Sequence, residues 1–371
     1  MTGRGPISRH APGKLFIAGE YAVVEPGHPA ILAAVDRQVG VTVSASETAD
    51  VVIDSDLRPQ EARLWRCDGG LAAGDEPQAS DGLAHVVSAI EVVDALLAER
   101  GLSAPPVHVS IDSRLHHDGT KLGLGSSGAV TVATVDAVAA YCGLELSPDA
   151  CFRLAMLATA RLDARSSGGD LAASVWGGWI EYRAPDRTAV LGLVRRRGVE
   201  ETIRVPWPGF GLRRLPKPRG LALEVGWTGQ PVSTTSLAGR LSRREWQGSP
   251  SQRRFLASSD ACVRAAVRAL EQGDDQELLR QIRGARQVLA DLDDEVRLGI
   301  FTTRLTALCD AAESVGGAAK PSGAGGGDCG IALLDATAKE EISRLREGWA
   351  AAGVLPMPIH IPSTKGARND R

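Results

Sequence analysis

The sequence predicts a protein of mixed α-helices and β-strands, organised as one large or two modest domains. A chain of 371 residues with 43% hydrophobic residues is long enough for each of two domains to bury its own core. Segments with alternating apolar residues, typical of strands, are interleaved with segments of helical periodicity along the chain. We therefore expect an α+β fold.

Composition and charge disfavour several classes of function. The 42 Lys and Arg residues against 45 Asp and Glu residues give a formal net charge of −3, which disfavours nucleic acid or an anionic membrane as the main partner. No run approaches the roughly 20 apolar residues of a membrane-spanning helix, and Arg9 and His10 stand where a secretory signal needs apolar residues. The sequence thus predicts a cytoplasmic protein. The six cysteines include no C-x-x-C pair, so we expect mostly buried thiols rather than zinc ligands or disulfides.

The first part of the chain is rich in predicted strands. Short β-rich runs separated by Gly and Pro turns predict strands at residues 14–19, 30–35 and 39–46. A hairpin and an exposed loop are expected within residues 48–81. Apolar residues at helical spacing predict a helix over residues 84–99, ended by Gly101, and period-two alternation predicts a strand over residues 107–111.

The middle of the chain contains two strong helix signals. Residues 127–141 are apolar nearly all round, which predicts a buried helix, and Ser147-Pro148 is a suitable start for a helix ending near Leu162. A strand interrupted by two glycines is expected over residues 175–182. Residues 196–218 are rich in arginine and proline without clear periodicity, so they are predicted to link a domain of residues 1–195 to one of residues 219–371.

The last part of the chain is predicted to be mixed. Strands are expected at residues 221–227, 331–334 and 355–361. Helices are expected at residues 251–270, 275–289, 302–314 and 338–351.

A first glycine cluster carries the clearest chemical signal. Gly123, Gly125 and Gly128 satisfy the pattern G-x-G-x-x-G, but the preceding strand ends too early for a dinucleotide-binding fold, and Glu145 lies before a helix start rather than at a strand end. A protein kinase would need H-R-D and D-F-G, and neither string occurs. A glycine and serine loop that feeds a long helix collects free backbone N–H groups at the positive helix end, which favours phosphate binding. The alternative is an ordinary glycine-rich turn.

Three further segments are candidates for a site. Residues 320–330 contain five glycines before a predicted strand, which favours a site loop over a flexible linker. Lys14 begins an apolar strand, where the pattern gives a solvent-facing lysine no reason to be. Asp170 lies in a turn of small residues, where it is either a site residue or only a helix cap.

Taken together, these segments resemble the GHMP kinase family, which is named for galactokinase, homoserine kinase, mevalonate kinase and phosphomevalonate kinase. Pro12-Gly-Lys with Gly19-Glu-Tyr-Ala, residues 123–129 and residues 320–330 match the three motifs of the family in the right order. The resemblance covers essentially the whole chain. It implies an N-terminal nucleotide-binding domain, a ferredoxin-like C-terminal domain and an active site in the cleft between them.

The resemblance also implies roles for individual residues. ATP phosphates would be bound by Gly123, Leu124, Gly125, Ser126, Ser127, Gly128 and Ala129. Lys14 and Asp170 would stand at the reacting centre. The acceptor would be held by Lys14, Tyr21, Lys121, Ser322 and Ala324, together with Ser233 or Thr234. Mevalonate kinases carry a metal-binding glutamate at the position of Thr159, so Mg²⁺ would be held mainly by ATP and by Ser126 or Ser127. Gln230 stands where relatives are expected to have lysine.

Within the family, the segments around Tyr21, Lys121, Asp170 and Trp227 most resemble phosphomevalonate kinases; mevalonate kinases usually have histidine in place of Tyr21. The implied activity is transfer of the ATP γ-phosphoryl group to (R)-5-phosphomevalonate. Two alternatives remain open, namely a mevalonate kinase and a catalytically silent binding protein with the same fold.

Overall fold

The computed structural model describes residues 5–68, 70–73, 82–231 and 246–362. The strands described up to residue 215 are β1 (Ile7–Ala18), β2 (Pro29–Ala45), β3 (Val51–Ser55), β4 (Ala62–Cys67), β5 (Gly70–Ala73), β6 (Val107–Ser113), β7 (His116–His117), β8 (Thr120–Lys121), β9 (Trp179–Arg183) and β10 (Gly211–Leu215). The helices of the same part are α1 (Ala84–Glu99), α2 (Ser126–Tyr141), α3 (Pro148–Leu162), α4 (Gly169–Trp176) and α5 (Arg187–Arg204).

The long strand β2 organises the first sheet. β1 pairs antiparallel with β2, while β9 pairs with its first half and β6 with its second half. The sheet has the order β10-β9-β2-β6-β3-β4-β5, and β3 with β6 is a parallel pair. Helix α2 packs on β1 and β2 and is covered in turn by α1, α3 and α4. This central position explains why the sequence of α2 is apolar on nearly all sides.

The second part of the chain forms a separate antiparallel sheet. Its strands are β11 (Leu221–Trp227), β12 (Ala318–Pro321), β13 (Cys329–Asp335) and β14 (Leu355–Met357). Its helices are α6 (Pro250–Gln272), α7 (Asp275–Val296), α8 (Thr303–Ser314) and α9 (Lys339–Ala351). The sheet order is β12-β13-β11-β14. Helices α6 to α8 separate β11 from β12, and α9 separates β13 from β14, which is the β-α-β-β-α-β connectivity of a ferredoxin-like fold.

Most predicted elements are confirmed. Helices α1 and α3 have the predicted bounds, and the Ser147 hydroxyl accepts a hydrogen bond from the Ala150 N–H at 3.2 Å, as expected of a cap. Four of the six cysteines are buried, as predicted. None of the helices in the described part of the chain is both long and apolar enough to cross a membrane.

The prediction of a strand over residues 175–182 is wrong in its first part, because this part of the chain is the end of helix α4 and a Gly177-Gly178 turn before β9. The prediction over residues 355–361 is also too long, since β14 ends at Met357, just before Pro358. Proline lacks the N–H that a strand needs for ladder hydrogen bonds.

The segment 196–218, predicted as a linker, contains regular structure instead. It includes the last part of α5 and the edge strand β10 of the first sheet. Gly198 interrupts the helix with φ 79° and ψ 180°, and the Glu99 carboxylate accepts hydrogen bonds from the Val199 and Glu200 N–H groups. The break shifts the helical phase, which hides the periodicity in the sequence. The chain passes between the two sheets in residues 216–220.

A buried ion pair joins the two parts of the molecule. The Lys320 ammonium at the end of the second sheet donates to the Glu20 carboxylate, which follows β1, and both side chains are at most 4% exposed. Lys320 also donates to the Pro321 carbonyl at 2.7 Å. Next to this pair, the Ser322 hydroxyl donates to the Phe16 carbonyl at 3.0 Å and accepts from the Phe16 N–H at 2.9 Å. The N-terminal strand and the second sheet are therefore held together by buried polar contacts.

We expect Lys320→Met to destabilise the protein by about 3–5 kcal/mol, because the substitution leaves the buried Glu20 carboxylate without its counter-charge. The measurement is urea unfolding followed by circular dichroism. Arg346→Gln is the control, since Arg346 is 54% exposed and pairs with Glu224 at 2.8 Å, and loss of such a surface pair changes stability by less than about 1 kcal/mol. Equal effects of the two substitutions would contradict a structural role for the buried pair.

Candidate active site

The first glycine cluster leads directly into helix α2. Gly125 is the N-cap residue of this helix with φ 77°, and no side chain caps the helix. The uncapped N–H groups and the positive end of the helix dipole therefore meet at this loop. Leu124 and Ala129 are buried, so only their backbone is able to contribute to a ligand site. Ser126 and Ser127 are half-buried in the first turn.

Lys14 reaches this loop from β1. Its side chain is 7% exposed, and its ammonium donates to the Gly123 carbonyl at 3.2 Å. Its backbone N–H donates to the Leu124 carbonyl at 2.8 Å, which joins the strand to the loop. Within the described residues, no carboxylate lies within 4.0 Å of the ammonium. A buried cation beside free N–H groups is an arrangement suited to phosphate.

Asp170 belongs to the first turn of helix α4. Its carboxylate accepts a hydrogen bond from the Leu171 N–H at 3.0 Å, but Asp170 is not the cap of the helix, so the alternative that it is only a helix cap is wrong. The same carboxylate also lies against helix α2, since a Cβ atom added to Gly128 would be 2.5 Å from it. The N-cap residue of α4 is Gly168, and no side chain caps this helix either. The positive ends of α2 and α4 thus meet at one point.

Gly125 lies between the two predicted catalytic residues. A Cβ atom at this position would be 3.0 Å from the Lys14 Cγ and 3.3 Å from the Asp170 Cβ. Only glycine combines this close approach with the positive φ of the loop. Lys14 and Asp170 form no ion pair within 4.0 Å among the described residues. The structure therefore brings the two together without a direct bond between them.

The second glycine cluster closes the site from the other sheet. A Cβ atom added to Gly323 would be 3.8 Å from the Lys14 ammonium nitrogen, and one added to Gly123 would be 2.4 Å from the Asp328 Cβ. The Asp328 N–H donates to the Gln230 carbonyl at 2.8 Å. Residues 323–328 therefore form a loop that lies against Lys14 and the first glycine cluster, and its role in a site stays a prediction.

The structure brings together only some of the residues that are predicted to hold an acceptor. The Tyr21 hydroxyl donates to the Ala324 carbonyl, so these two residues do lie together. Lys121 is exposed in the hairpin of β7 and β8, opposite His116. Ser233 and Thr234 lie outside the described residues.

Ser322 requires a correction. The sequence predicts that its hydroxyl contacts an acceptor, but the side chain is 2% exposed. The hydroxyl also makes both of the bonds to the Phe16 backbone that are described above. Its role in this structure is to join β1 to the second sheet.

A cavity of about 290 Å³ opens beside Tyr21. It lies among the 3-10 turn after β1 (Ala22–Val24), the start of α5 and the start of α6. Its polar lining includes Glu25, Arg165, Asp186, Arg187, Thr188 and Gln252, and its apolar lining includes Val24, Trp246, Phe255 and Leu256. The sequence gives no sign of this cavity, because its walls come from segments that are far apart in the chain.

His85 is a second group that the sequence patterns do not reveal. It lies in the first turn of α1, and its Nδ1 is buried without a hydrogen-bond partner in the described part of the chain. Burial lowers the pKa of His85, while the charge of Asp170 raises it and that of Lys121 lowers it. The low pKa favours the neutral form of the imidazole.

Comparisons with known families agree with this geometry. Residues 85–178 match the model of the GHMP kinases N terminal domain, and residues 266–351 match that of the GHMP kinases C terminal domain. The phosphomevalonate kinase of Streptomyces sp. (strain CL190) is 65% identical over 98% of this chain and 99% of that protein. The mevalonate kinase of Thermococcus gammatolerans is 31% identical over 96% of both chains.

The fold is also similar to those of solved structures. A Lin0012 protein from Listeria innocua is 33% identical with a TM-score of 0.87, covering 96% of this chain and 98% of that one. The phosphomevalonate kinase of Streptococcus pneumoniae, solved in complex with phosphomevalonate and AMPPNP, is 27% identical with a TM-score of 0.82, covering 95% of this chain and 99% of that one.

The phosphate-loop prediction is tested by Gly125→Ala. We expect at least a tenfold loss of ATP affinity by titration calorimetry, because the added methyl group meets Lys14 and Asp170. Gly101→Ala is the matched control, since Gly101 has a similar positive φ of 68° with nothing within 4 Å of an added Cβ. Both substitutions are expected to lower stability by about 1–2 kcal/mol from backbone strain. An unchanged ATP affinity in Gly125→Ala would show that the loop does not bind phosphate.

Proposed function

The chain belongs to the GHMP kinase family, and we propose that within this family it transfers the γ-phosphoryl group of ATP to the phosphate of (R)-5-phosphomevalonate, giving (R)-5-diphosphomevalonate and ADP. The observation that carries this proposal is the 65% identity, over nearly the whole of both chains, to a phosphomevalonate kinase. The fold relative that was solved with phosphomevalonate and an ATP analogue supports both substrates. The reaction belongs to the mevalonate pathway.

In this proposal, the phosphates of ATP bind at the N-terminus of α2. Gly123, Gly125 and the first turn of the helix supply N–H groups, while the ammonium of Lys14 neutralises charge on the phosphoryl group that moves. Phosphoryl transfer depends mostly on positioning and charge stabilisation. A site formed by two uncapped helix ends and one buried lysine supplies both.

The protein offers few ligands for Mg²⁺ at this site. Within the described residues, no group of three or more His, Cys, Asp or Glu side chains could hold a metal ion, and Thr159, in place of the glutamate of mevalonate kinases, is 6% exposed. The half-buried hydroxyls of Ser126 and Ser127 are the suitable oxygen donors, and Mg²⁺ commonly binds through substrate phosphates and few protein ligands. The ion would neutralise charge on the ATP phosphates.

Two features favour a phosphorylated acceptor. The exposed ammonium of Lys121 lies close enough to the site for its charge to lower the pKa of His85, and a dianionic phosphate would pair with it. Tyr21 takes the place of the histidine that is usual in mevalonate kinases, and its hydroxyl contacts the loop at Ala324.

The proposed substrate is tested by measuring ADP release with a panel of acceptors. We expect kcat/KM for phosphomevalonate to exceed that for mevalonate by at least 10²-fold, because mevalonate lacks the charge that Lys121 pairs with. Lys121→Met should reduce the difference in kcat/KM between the two acceptors, mainly by raising KM for phosphomevalonate. Equal kcat/KM for both acceptors would favour the mevalonate kinase alternative, and no ADP release with any acceptor would favour the silent binding protein.

Lys14→Met is expected to lower kcat by about 10²-fold or more, since it removes the charge that stabilises the transferred group. Steady-state kinetics at saturating ATP and phosphomevalonate measure this effect, and the circular dichroism spectrum should not change. A kcat near that of the wild type would mean that Lys14 only packs its methylene groups along the strand.

Asp170 is proposed to act mainly in positioning rather than as a general base. A phosphate monoester has a second pKa near 6, so the attacking oxygen of phosphomevalonate is already largely anionic at neutral pH. We expect Asp170→Asn to cause a modest loss of kcat that is constant from pH 7 to 8.5. A loss of three or more decades that recovers as the pH rises would instead identify Asp170 as a base, for which the contribution is about 10²–10⁴-fold.

A further inference from the structure

A strained turn follows strand β1. The Ala22 N–H donates to the Glu20 carbonyl at 2.6 Å, and Tyr21 between them has φ 61° and ψ −46°. A hydrogen bond from residue i+2 to residue i with positive φ at the central residue defines the rare and strained form of the γ-turn. Glycine adopts positive φ without a steric penalty, whereas a tyrosine keeps it only where its surroundings hold it there. The Tyr21 side chain must therefore make contacts that a glycine at this position could not.

The Tyr21 side chain is buried and bonded to the loop of residues 323–328. Tyr21 is 7% exposed and lies in an apolar cluster with Leu298 and Ile300, which precede α8. Its hydroxyl donates to the Ala324 carbonyl. A phenol has a single O–H donor, so the hydroxyl cannot donate to an anionic oxygen of a substrate while this bond lasts. The hydroxyl thus holds the loop rather than an acceptor.

The turn holds this loop at two neighbouring residues. The Glu20 carboxylate accepts from the Lys320 ammonium, and it also lies 3.4 Å from the Gly323 nitrogen. Tyr21 binds the carbonyl of the next residue, Ala324. Glu20 and Tyr21 together therefore fix both ends of the Gly323-Ala324 dipeptide.

The fixed dipeptide lies against the candidate catalytic lysine. A Cβ atom added to Gly323 would be 3.8 Å from the Lys14 ammonium nitrogen, and the same ammonium donates to the Gly123 carbonyl at 3.2 Å. A shift of Gly323 would therefore change the space that the ammonium occupies. In catalysis, misplacement of a group by about 1 Å is enough to lower a rate by about 10²-fold.

We propose that Tyr21 is a positioning residue. It holds the loop of residues 323–328 where Gly323 keeps the Lys14 ammonium in place for phosphoryl transfer, and it does not itself bind the acceptor. This inference rests on the proposed function, and it assigns Tyr21 a different role from the acceptor contact that the family resemblance implies. It also accounts for the strained turn, because a glycine at residue 21 would relieve the strain but would lose both the buried ring and the bond to Ala324.

Tyr21→Phe tests the proposal, because it removes the hydroxyl and keeps the ring. We expect kcat with phosphomevalonate to fall about tenfold or more, while KM for ATP and for phosphomevalonate changes less than about twofold. Steady-state kinetics measures both constants. A higher KM for phosphomevalonate with kcat unchanged would show that Tyr21 contacts the acceptor, and unchanged kcat and KM would show a merely structural contact. Either result would overturn the proposal.

A double-mutant cycle tests whether Tyr21 acts through Lys14. In the Lys14→Met background, Tyr21→Phe should cause almost no further loss of kcat, whereas independent, multiplicative losses would overturn the proposal. Ser88→Ala is the matched control, because Ser88 is 3% exposed and its hydroxyl also donates to a backbone carbonyl, that of Ala158 at 2.8 Å. This bond joins α1 to α3, so Ser88→Ala should leave kcat and KM unchanged.

Amide hydrogen exchange of the ligand-free protein separates this inference from the proposed function. Tyr21→Phe should raise the exchange rate of the Gly326 N–H, which donates to the Ile300 carbonyl at 2.8 Å, and Ser88→Ala should not. If the exchange rate is unchanged and the wild type phosphorylates phosphomevalonate, the proposed function stands and the positioning role of Tyr21 is wrong. If the exchange rate rises but the wild type phosphorylates neither phosphomevalonate nor mevalonate, Tyr21 does hold the loop, but the proposed function is wrong and the role of Tyr21 in phosphoryl transfer falls with it.

Discussion

The buried ion pair of Glu20 and Lys320 is the contact on which the arrangement of the site depends. It removes two charges from water, which is unfavourable unless the partners are well placed and their other polar atoms are satisfied. Here the Pro321 carbonyl takes a second hydrogen bond of the ammonium, and the Gly323 N–H lies 3.4 Å from the carboxylate. The pair joins residues separated by 300 positions in sequence, so it ties the turn after β1 to the second glycine cluster.

This connection determines where the reactive groups lie. Lys14 is in the strand that precedes Glu20, and Gly323 is in the loop that follows Lys320. Because the ion pair and the contacts of Ser322 with Phe16 hold strand and loop together, the lysine ammonium lies between the loops of both domains. The geometry of a cleft site is thus set by buried polar contacts beside it, and not only by the apolar cores of the two domains.

The site itself combines positive groups that the protein does not neutralise. Two uncapped helix N-termini and Lys14 meet beside the first glycine cluster, and no carboxylate lies within 4.0 Å of the Lys14 ammonium among the residues that the structure describes. Positive groups held close together repel one another, and a bound anion would relieve that repulsion. Under the proposed function, phosphorylated ligands should therefore stabilise the fold by mass action.

Much of the local structure was predictable from the sequence, because it depends on interactions between near neighbours. Helix periodicity and the Ser147-Pro148 start predicted α3. The glycine cluster predicted a loop, in which Gly123 and Gly125 have positive φ, while Gly128 lies in helix α2 and is closely approached by Asp170. Helix α4 was missed, since a short helix that begins with glycines has little intrinsic stability and forms because it packs against β1, β2 and α2. The break of α5 at Gly198 was equally hidden, since its caps come from Glu99 on another helix.

The sequence by itself determined which candidate groups are available at the site, namely a glycine loop that is predicted to bind phosphate, a lysine, an aspartate and a second glycine loop. Only the tertiary structure decided which side chains serve that chemistry. It buried Ser322 in a contact between the domains, and it left the Nδ1 atom of His85 buried without a hydrogen-bond partner in the described part of the chain. The physical reason is that a buried charge is defined by what packs around it. Its neighbours come from different segments of the chain, and no local pattern in the sequence records their approach.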